Sequence, residues 1–264
     1  MNKEIFNMKK IIFISLFLIG LSELWAITGQ EIMDRSVDIQ NTQSAAMDIQ
    51  MDLIDKRGSV STRRLQILSM QDTAGQNRTI VVFMSPPNIK DTRFLTIENN
   101  DRNDDQWIYL PSMRKIKRIA SSDQNSSFMG TDFTYGDMSD TQTDKDRHTL
   151  LREEVFQGRL CYVVESIPLD LDSASRSKLI SWVDKEWFVP LKVDFYDKRS
   201  EELSRTAISE NINLVNEIWT PFKVTMTTHS SGHKTILTTL QVKYNIAMNP
   251  GFFTTNFLST GRVQ

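Results

Sequence analysis

Asp105-Gln-Trp-Ile-Tyr-Leu-Pro-Ser-Met-Arg-Lys-Ile-Lys-Arg-Ile-Ala120, running on to Phe128-Met-Gly-Thr-Asp-Phe-Thr-Tyr135, sets the fold class of this 264-residue chain. Residues 106–110 form a short β-rich run whose aromatics, Trp107 and Tyr109, fall on one side of a pleat. Pro111-Ser112 cannot continue a central ladder and marks a turn or an edge. Residues 113–119 then place four cations, Arg114, Lys115, Lys117 and Arg118, around Ile116. A polar loop, 121–127, follows and ends in Phe128-Met129-Gly130. A greasy strand, a basic strand and an apolar tip beside a glycine thus stand in sequence, and the tip has the position of a mobile gate. Methionine at such a tip suits a surface that repacks around flexible chains.

Working outward, the rest of the chain alternates in the same way. Met47, Ile49, Met51 and Leu53 interleave with Asp48, Gln50 and Asp52, the period-2 pattern of a strand with one wet face. Strand-like runs recur at 61–70, 78–84, 93–98, 149–156, 160–167, 179–183, 191–196, 204–211, 222–228 and 235–244, each bounded by turn residues. Ahead of them, Thr28-Gly-Gln-Glu31 is a capping box. Ile32, Met33, Val37 and Ile39 share one arc of the helix it starts. One helix and about ten antiparallel strands predict a mainly β fold, a strongly curved sheet or incomplete barrel. A single helix cannot cover both faces, so it is expected in the concavity, as a lid.

Met1 to Ala26 has the marks of an export signal: Lys9-Lys10, an apolar run over 11–21, and Leu24-Trp25-Ala26 ending in a small residue. The apolar run is short for a bilayer span, which needs about 18–20 residues. No cysteine follows it, so the chain carries no site there for N-terminal acylation. The expected mature protein is residues 27–264, one exported, monomeric domain. A formal net charge of −2 gives no bulk attraction to nucleic acid. The single cysteine, Cys161, sits in an apolar run and reads as a small buried hydrophobe.

Catalytic signatures are missing from the sequence: it has no Gly-x-Ser-x-Gly elbow, no His-Glu-x-x-His and no Walker loop. His229 and His233 bracket a tight hairpin without a neighbouring carboxylate or cysteine, short of the three or four ligands of a zinc site. Residues 101–105 offer the first ligand positions of a calcium loop, but Gln106 and Ser112 stand where its glycine and glutamate belong. Glu153 and Glu154 are neighbours on a strand and point to opposite faces. No metal or cofactor is expected, and no enzyme activity.

Trp107-x-Tyr-Leu-Pro111, the basic strand and Phe128-Met-Gly-Thr-Asp-Phe-Thr-Tyr135 together resemble the outer membrane lipoprotein-sorting proteins, larger relatives of the periplasmic carrier LolA. The resemblance extends through Trp182-Val-Asp-Lys-Glu-Trp-Phe-Val-Pro-Leu-Lys-Val-Asp-Phe-Tyr196, Trp219-Thr-Pro-Phe-Lys-Val-Thr-Met226 and Phe253-Thr-Thr-Asn-Phe-Leu258. It implies an incomplete β-barrel with a helical lid, located in the periplasm, that carries acyl chains of lipoproteins or another lipid between envelope membrane proteins. A lipid-binding accessory module of an envelope transporter or export complex is the alternative. The candidate cavity and gate residues are Ile32, Met33, Val37, Trp107, Tyr109, Phe128, Met129, Phe133, Tyr135, Trp182 and Phe195. The same aromatics would also serve an ordinary barrel core. Arg114, Lys115, Lys117 and Arg118 have two readings: a docking patch for an acidic partner or lipid headgroup, or charge that keeps a sheet edge from pairing.

Overall fold

The computed structural model describes residues 26–99, 102–139, 143–171 and 174–263. The export signal falls outside them except for Ala26, as does Asp101 of the candidate calcium loop. Helix α1 spans Gly29–Asp38. The first six strands are β1 (Ser44–Ile54), β2 (Val60–Gln71), β3 (Asn77–Ser85), β4 (Arg93–Ile97), β5 (Asp105–Leu110) and β6 (Lys115–Arg118). The remainder are β7 (Asp146–Phe156), β8 (Arg159–Pro168), β9 (Arg176–Asp184), β10 (Pro190–Asp197), β11 (Leu203–Val215), β12 (Ile218–Thr228) and β13 (Lys234–Tyr244). A short helix α2, Thr255–Thr260, follows a 3-10 turn at Pro250–Phe253. Every alternating run of the sequence is a strand, and the described strands number thirteen rather than about ten.

All thirteen join one curved, unclosed antiparallel sheet in the order β6-β5-β4-β3-β2-β1-β13-β12-β11-β10-β9-β8-β7. The register identifies its two faces. Leu53, Thr235, Met226, Ala207, Val193, Ser181, Val164 and Leu150 stand side by side from β1 through β13 to β7. Towards the other edge, Met47, Ile67, Val81, Phe94, Ile108 and Lys117 do the same. Because side chains alternate along a strand, these residues share the inner face. Ala46, Leu68, Ile80, Leu95, Trp107 and Arg118 form the matching outer row.

Both faces are covered where the strands are most apolar. On the outer face of β2–β5 the C-terminal segment lays Phe253, Phe257 and Leu258 over Leu68, Ile80 and Leu95. Arg93 secures it: its guanidinium donates to the Leu258 carbonyl at the C-terminal end of α2, at 3.1 Å, and lies over the rings of Tyr109 and Phe257. A cation at a helix C-terminus meets the carbonyls left unpaired there. This second helix is absent from the sequence-based expectation.

The capping box forms as the sequence indicates, with Glu31 N–H donating to Thr28 Oγ1 at 3.1 Å and Thr28 N–H donating to Glu31 Oε2 at 2.8 Å. Helix α1 lies on the inner face, but over β7 and β8. Ile32 and Met33 pack on Val164 and Val183, with Leu150, Tyr162 and Phe188 around them. Gly29 permits the approach, since a Cβ there would come within 2.8 Å of the His148 carbonyl and the Leu150 nitrogen. The helix is therefore part of the core at one end of the sheet. The covering over β1–β3 comes from residues 119–139.

Candidate functional site

Residues 119–139 link β6 to β7 across the inner face. Ile119 and Phe128 are buried among Ile49, Met51, Leu65, Val81, Phe83, Phe94 and Ile108. Phe128 is 2 % exposed, a plug rather than a tip in solvent. Its ring centroid lies 5.0 Å from Phe94 and 5.5 Å from Tyr135, both edge-on, and 6.0 Å from Phe83. Aromatic rings favour such edge-to-face contacts because of their quadrupoles. The turn that inserts it uses left-handed backbone at Met129, φ 53°, and Gly130, φ 77°.

Polar groups staple this plug to both halves of the sheet. The buried Asp132 carboxylate accepts from the hydroxyls of Thr228, at 2.5 Å, and Thr235, at 2.7 Å, and has His233 Nδ1 at 2.7 Å. Arg205 donates to the Asp132 carbonyl at 3.0 Å and to the Asp137 carboxylate at 2.5 Å. Across the plug, Arg63 donates to the Met129 carbonyl at 2.7 Å, and Gln106 Nε2 to the Tyr135 carbonyl at 2.9 Å. A buried carboxylate so fully partnered fixes its loop, because removing any donor leaves charge without solvent.

Beneath the plug is a cavity of about 350 Å³. Its floor is the inner face of the sheet, with Met47, Ile49 and Met51 from β1, Leu65 and Ile67 from β2, and Val224 and Leu237 from β12 and β13. Phe128, Phe133 and Met138 form the roof. Gln40 and Thr42, just after α1, together with Ser69, Thr220, Thr239 and Tyr244 supply its polar groups. The Thr220 and Tyr244 hydroxyls bond each other at 2.9 Å, and burial pushes the Tyr244 phenol upward, keeping it neutral. None of the lining side chains is charged. Trp219 closes one wall and stacks on Trp187 at 4.6 Å, with the Arg159 guanidinium over Trp187 at 3.4 Å.

The structure brings some predicted residues together here and sends others elsewhere. Phe128 and Phe133 line the cavity, with Met129 and Tyr135 packed on the same cluster. Trp107 and Tyr109 are on the opposite face, against the C-terminal segment, because Gln106 and Ile108 take the inner positions of β5. Trp182 also points outward. It pairs across strands with Val163 and Lys192, donates from Nε1 to Glu154 at 3.1 Å, and carries the Lys192 ammonium over its ring at 3.9 Å. Phe195 is on the inner face but lies under Arg205, 4.6 Å from the guanidinium, and does not line the cavity. Ile32 and Met33 are committed to β8 and β9, and half-buried Val37 is one turn further along the same helix. The residues that sequence reasoning passed over are Gln40, Thr42, Thr220, Thr239 and Tyr244. The clue to the last three was alternation within β12 and β13, where Thr220, Thr239 and Tyr244 fall in the inner phase, whereas Gln40 and Thr42 precede β1 and carry no periodic signal.

The basic strand β6 is the free edge of the sheet, and all four of its residues are exposed. Lys117 pairs with Asp123 at 3.2 Å and Arg118 pairs with Asp105. Arg102 and Arg118 on Asp105 hold that carboxyl far below the usual range. His229 and His233 diverge, His229 Nε2 lying 2.9 Å from the Thr206 hydroxyl while His233 turns to Asp132. Among the described residues no cluster of three or more metal-ligating side chains is present. Cys161 is fully buried, and burial pushes its thiol up to about 11.

A curved, unclosed sheet holding an apolar cavity under a plugged inner face defines a small class of folds. The chain belongs to the family of outer membrane lipoprotein-sorting proteins. A structure from Vibrio parahaemolyticus described as an outer membrane lipoprotein-sorting protein domain is 30% identical, with a TM-score of 0.82, covering 88% of this chain and 98% of that one. Residues 75–260 match a family model described as "Uncharacterized protein", the DUF1329 family. A DUF1329 protein from Desulfovibrio piger superposes with a TM-score of 0.83 at 23% identity, covering 87% of this chain and 97% of that one. A LolA superfamily protein from Nitrosomonas europaea gives 0.70 at 23% identity, over 88% and 100%. The last two likenesses show the fold. No curated protein matches the chain.

Proposed function

We propose that this protein is an exported, non-catalytic carrier of the cell envelope that holds an acyl chain of a lipoprotein, or of another lipid, in the cavity beneath residues 119–139. The observation that carries this reading is the uncharged cavity of about 350 Å³ between an apolar sheet face and a plug stapled by Asp132 and Asp137. That volume lies within the range of small-molecule sites, about 300–1,000 Å³, and is roughly twice that of a cavity that takes one benzene. It suits one chain rather than a bundle of three. The hydroxyls of Thr220, Thr239 and Tyr244 would meet an ester or hydroxyl end, and nothing in the lining would neutralise a buried carboxylate or phosphate. The family membership and the export signal support the envelope as the location, with donor and acceptor membrane proteins as partners.

The test is a series of single-chain ligands differing only in length, with affinity measured by displacement of a fluorescent fatty alcohol. Each methylene buried contributes about 0.8 kcal/mol, so affinity should rise about fourfold per carbon until the cavity is full, then level off. An affinity indifferent to chain length would sink the carrier reading. Thr239→Trp, which fills the lined space, should abolish binding with little change in melting temperature.

A further inference from the structure

The meander sends alternate turns to the same end of the sheet. In the β1–β6 half, the turns 55–59, 86–92 and 111–114 therefore share one end, at spacings of about 10 Å, two strands apart. Along that end and its rim the chain has Lys56, Arg57, Arg64, Lys90, Arg114 and Lys115, all exposed. Among the described residues none of these six has a carboxylate within ion-pair distance, whereas Lys117 and Arg118, further along β6, are both paired. Three acids lie at this end and its rim, and all are engaged. Asp52 accepts from the Gln50 side-chain amide and the Thr62 hydroxyl. Asp55 accepts from the Arg57 and Ser59 amides of its own turn, and Asp91 lies 3.8 Å from Arg93. Between the cations stand large apolar side chains open to solvent: Val60 at 59%, Met84 at 48% and Met113 at 59%. The turns at the opposite end of the same half carry Asp72, Glu98, Asp104 and Asp105. The cations there are compensated, Arg78 by Asp72 and Arg102 and Arg118 by Asp105, so uncompensated positive charge gathers at the first end.

We infer that this end of the sheet docks on an anionic lipid bilayer. Cations alone would suit any acidic surface. Uncompensated cations interleaved with exposed valine and methionine at the tips of three parallel turns match the headgroup boundary, where charge is drawn to anionic lipid and short apolar side chains sink among the acyl carbons. The geometry also places the plug at the docked end. Arg63, beside Arg64, holds the Met129 carbonyl, and His233, in the turn beyond β12, holds Asp132. Contact with the membrane would thus occur next to the groups that fasten the roof of the cavity.

The experiment is co-sedimentation with vesicles of phosphatidylcholine, with and without phosphatidylglycerol, at about 0.05 and about 0.5 M salt. Binding should require the anionic lipid and fall at high salt. Arg114→Glu/Lys115→Glu should weaken partitioning by about twenty-five-fold or more, since each cation near the surface contributes roughly fivefold. Arg147→Glu/Lys243→Glu, the same change in net charge at exposed sites elsewhere, should have far less effect. Met113→Ser should weaken binding at both salts. Circular dichroism of each variant checks the fold. Thr239→Trp should dock as the wild type does, which separates docking from uptake into the cavity. Equal binding to neutral vesicles, or equal losses for the two charge-reversal pairs, would overturn the inference. So would failure to bind anionic vesicles together with retention on a soluble acidic polypeptide.

Discussion

Phe128 illustrates how far a single residue can be misjudged from its neighbours. Ser126, Ser127, Thr131 and Asp132 make its surroundings polar, and local composition alone suggests a solvent loop. Ser127 and Thr131 in fact bond carbonyls of the loop itself, and the Asp132 carboxylate is satisfied by partners about a hundred residues away, Thr228, His233 and Thr235, which no local reading reveals. Phe128→Ala should cost about 3–5 kcal/mol, the range for emptying a buried aromatic site. It should also enlarge the cavity enough to admit a branched ligand that the wild type excludes. Thermal unfolding and displacement titration read the two effects separately, and a melting temperature within a degree of wild type would mean the ring is not in the core. Asp184 offers a second test. Burial alone would raise its pKa, but pairing with Arg159 and amide donation from Trp187 and Glu186 outweigh it and leave the carboxyl below its ordinary value. A folded-state pKa below the unfolded one gives stability that is present at neutral pH and lost as pH falls below about 4. Asp184→Asn should thus destabilise by about 2–3 kcal/mol at pH 7. The gap from wild type should close as acid protonates the native carboxylate, and a gap constant down to pH 3 would show that the charge is not what matters.

At the scale of elements, the strands were legible and one phase was not. Alternation located every strand because most have one wetter face, as in β1, where Asp48, Gln50 and Asp52 mark the outside. In β4 and β5 both faces are covered, one by the plug and the other by α2, so alternation between polar and apolar residues fades. Aromatic content then drew Trp107 and Tyr109 inward, while the structure assigns the inner positions to Gln106 and Ile108. The helix was legible as an element, from its capping box and apolar arc, but its partner was not. Which part of the inner face it covers depends on Gly29 meeting β7, a contact between residues more than a hundred positions apart. The plug, rather than α1, is accordingly the element expected to move. Asp132→Ala with Asp137→Ala should cost about 3 kcal/mol, leaving the Thr228 and Thr235 hydroxyls without their carboxylate acceptor and Arg205 with the residue-132 carbonyl alone. Amides over 127–136 should then exchange faster, while those of α1 keep their protection. Ligand should enter and leave faster in that variant. Equal exchange in the two elements would identify α1 as the mobile cover after all.

For the whole molecule, composition bounded the class well. Near-neutral charge, one cysteine and regular turns left a large β fold without crosslinks, and thirteen strands in one sheet are its realisation. The polarity of the β1–β6 half was hidden, because its cations are scattered at 56, 57, 64, 90, 114 and 115 and only the meander gathers them. Sequence reasoning saw the cluster at 114–118 and took it as a unit. The sheet divides it, leaving Arg114 and Lys115 at the turn and pairing Lys117 and Arg118.

Strands β1 and β13 are neighbours in the sheet although nearly two hundred residues separate them, and among the described strands this pairing is the only one that is not sequential. Everything on either side of it is built from hairpins and can zip up as soon as each turn is made. A chain emerging from a channel N-terminus first therefore leaves the edge of β1 unpaired until the last strand appears. That edge is apolar in its inner phase, with Met47, Ile49 and Met51 in a row, the kind of strand that recruits other chains. The protein's most vulnerable moment is set by this seam, and a helper that shields an extended strand would be needed most just before residues 234–244 arrive. A chain ending at residue 229 should accordingly aggregate, and adding a separate peptide of residues 230–247 should restore solubility by supplying the missing strand.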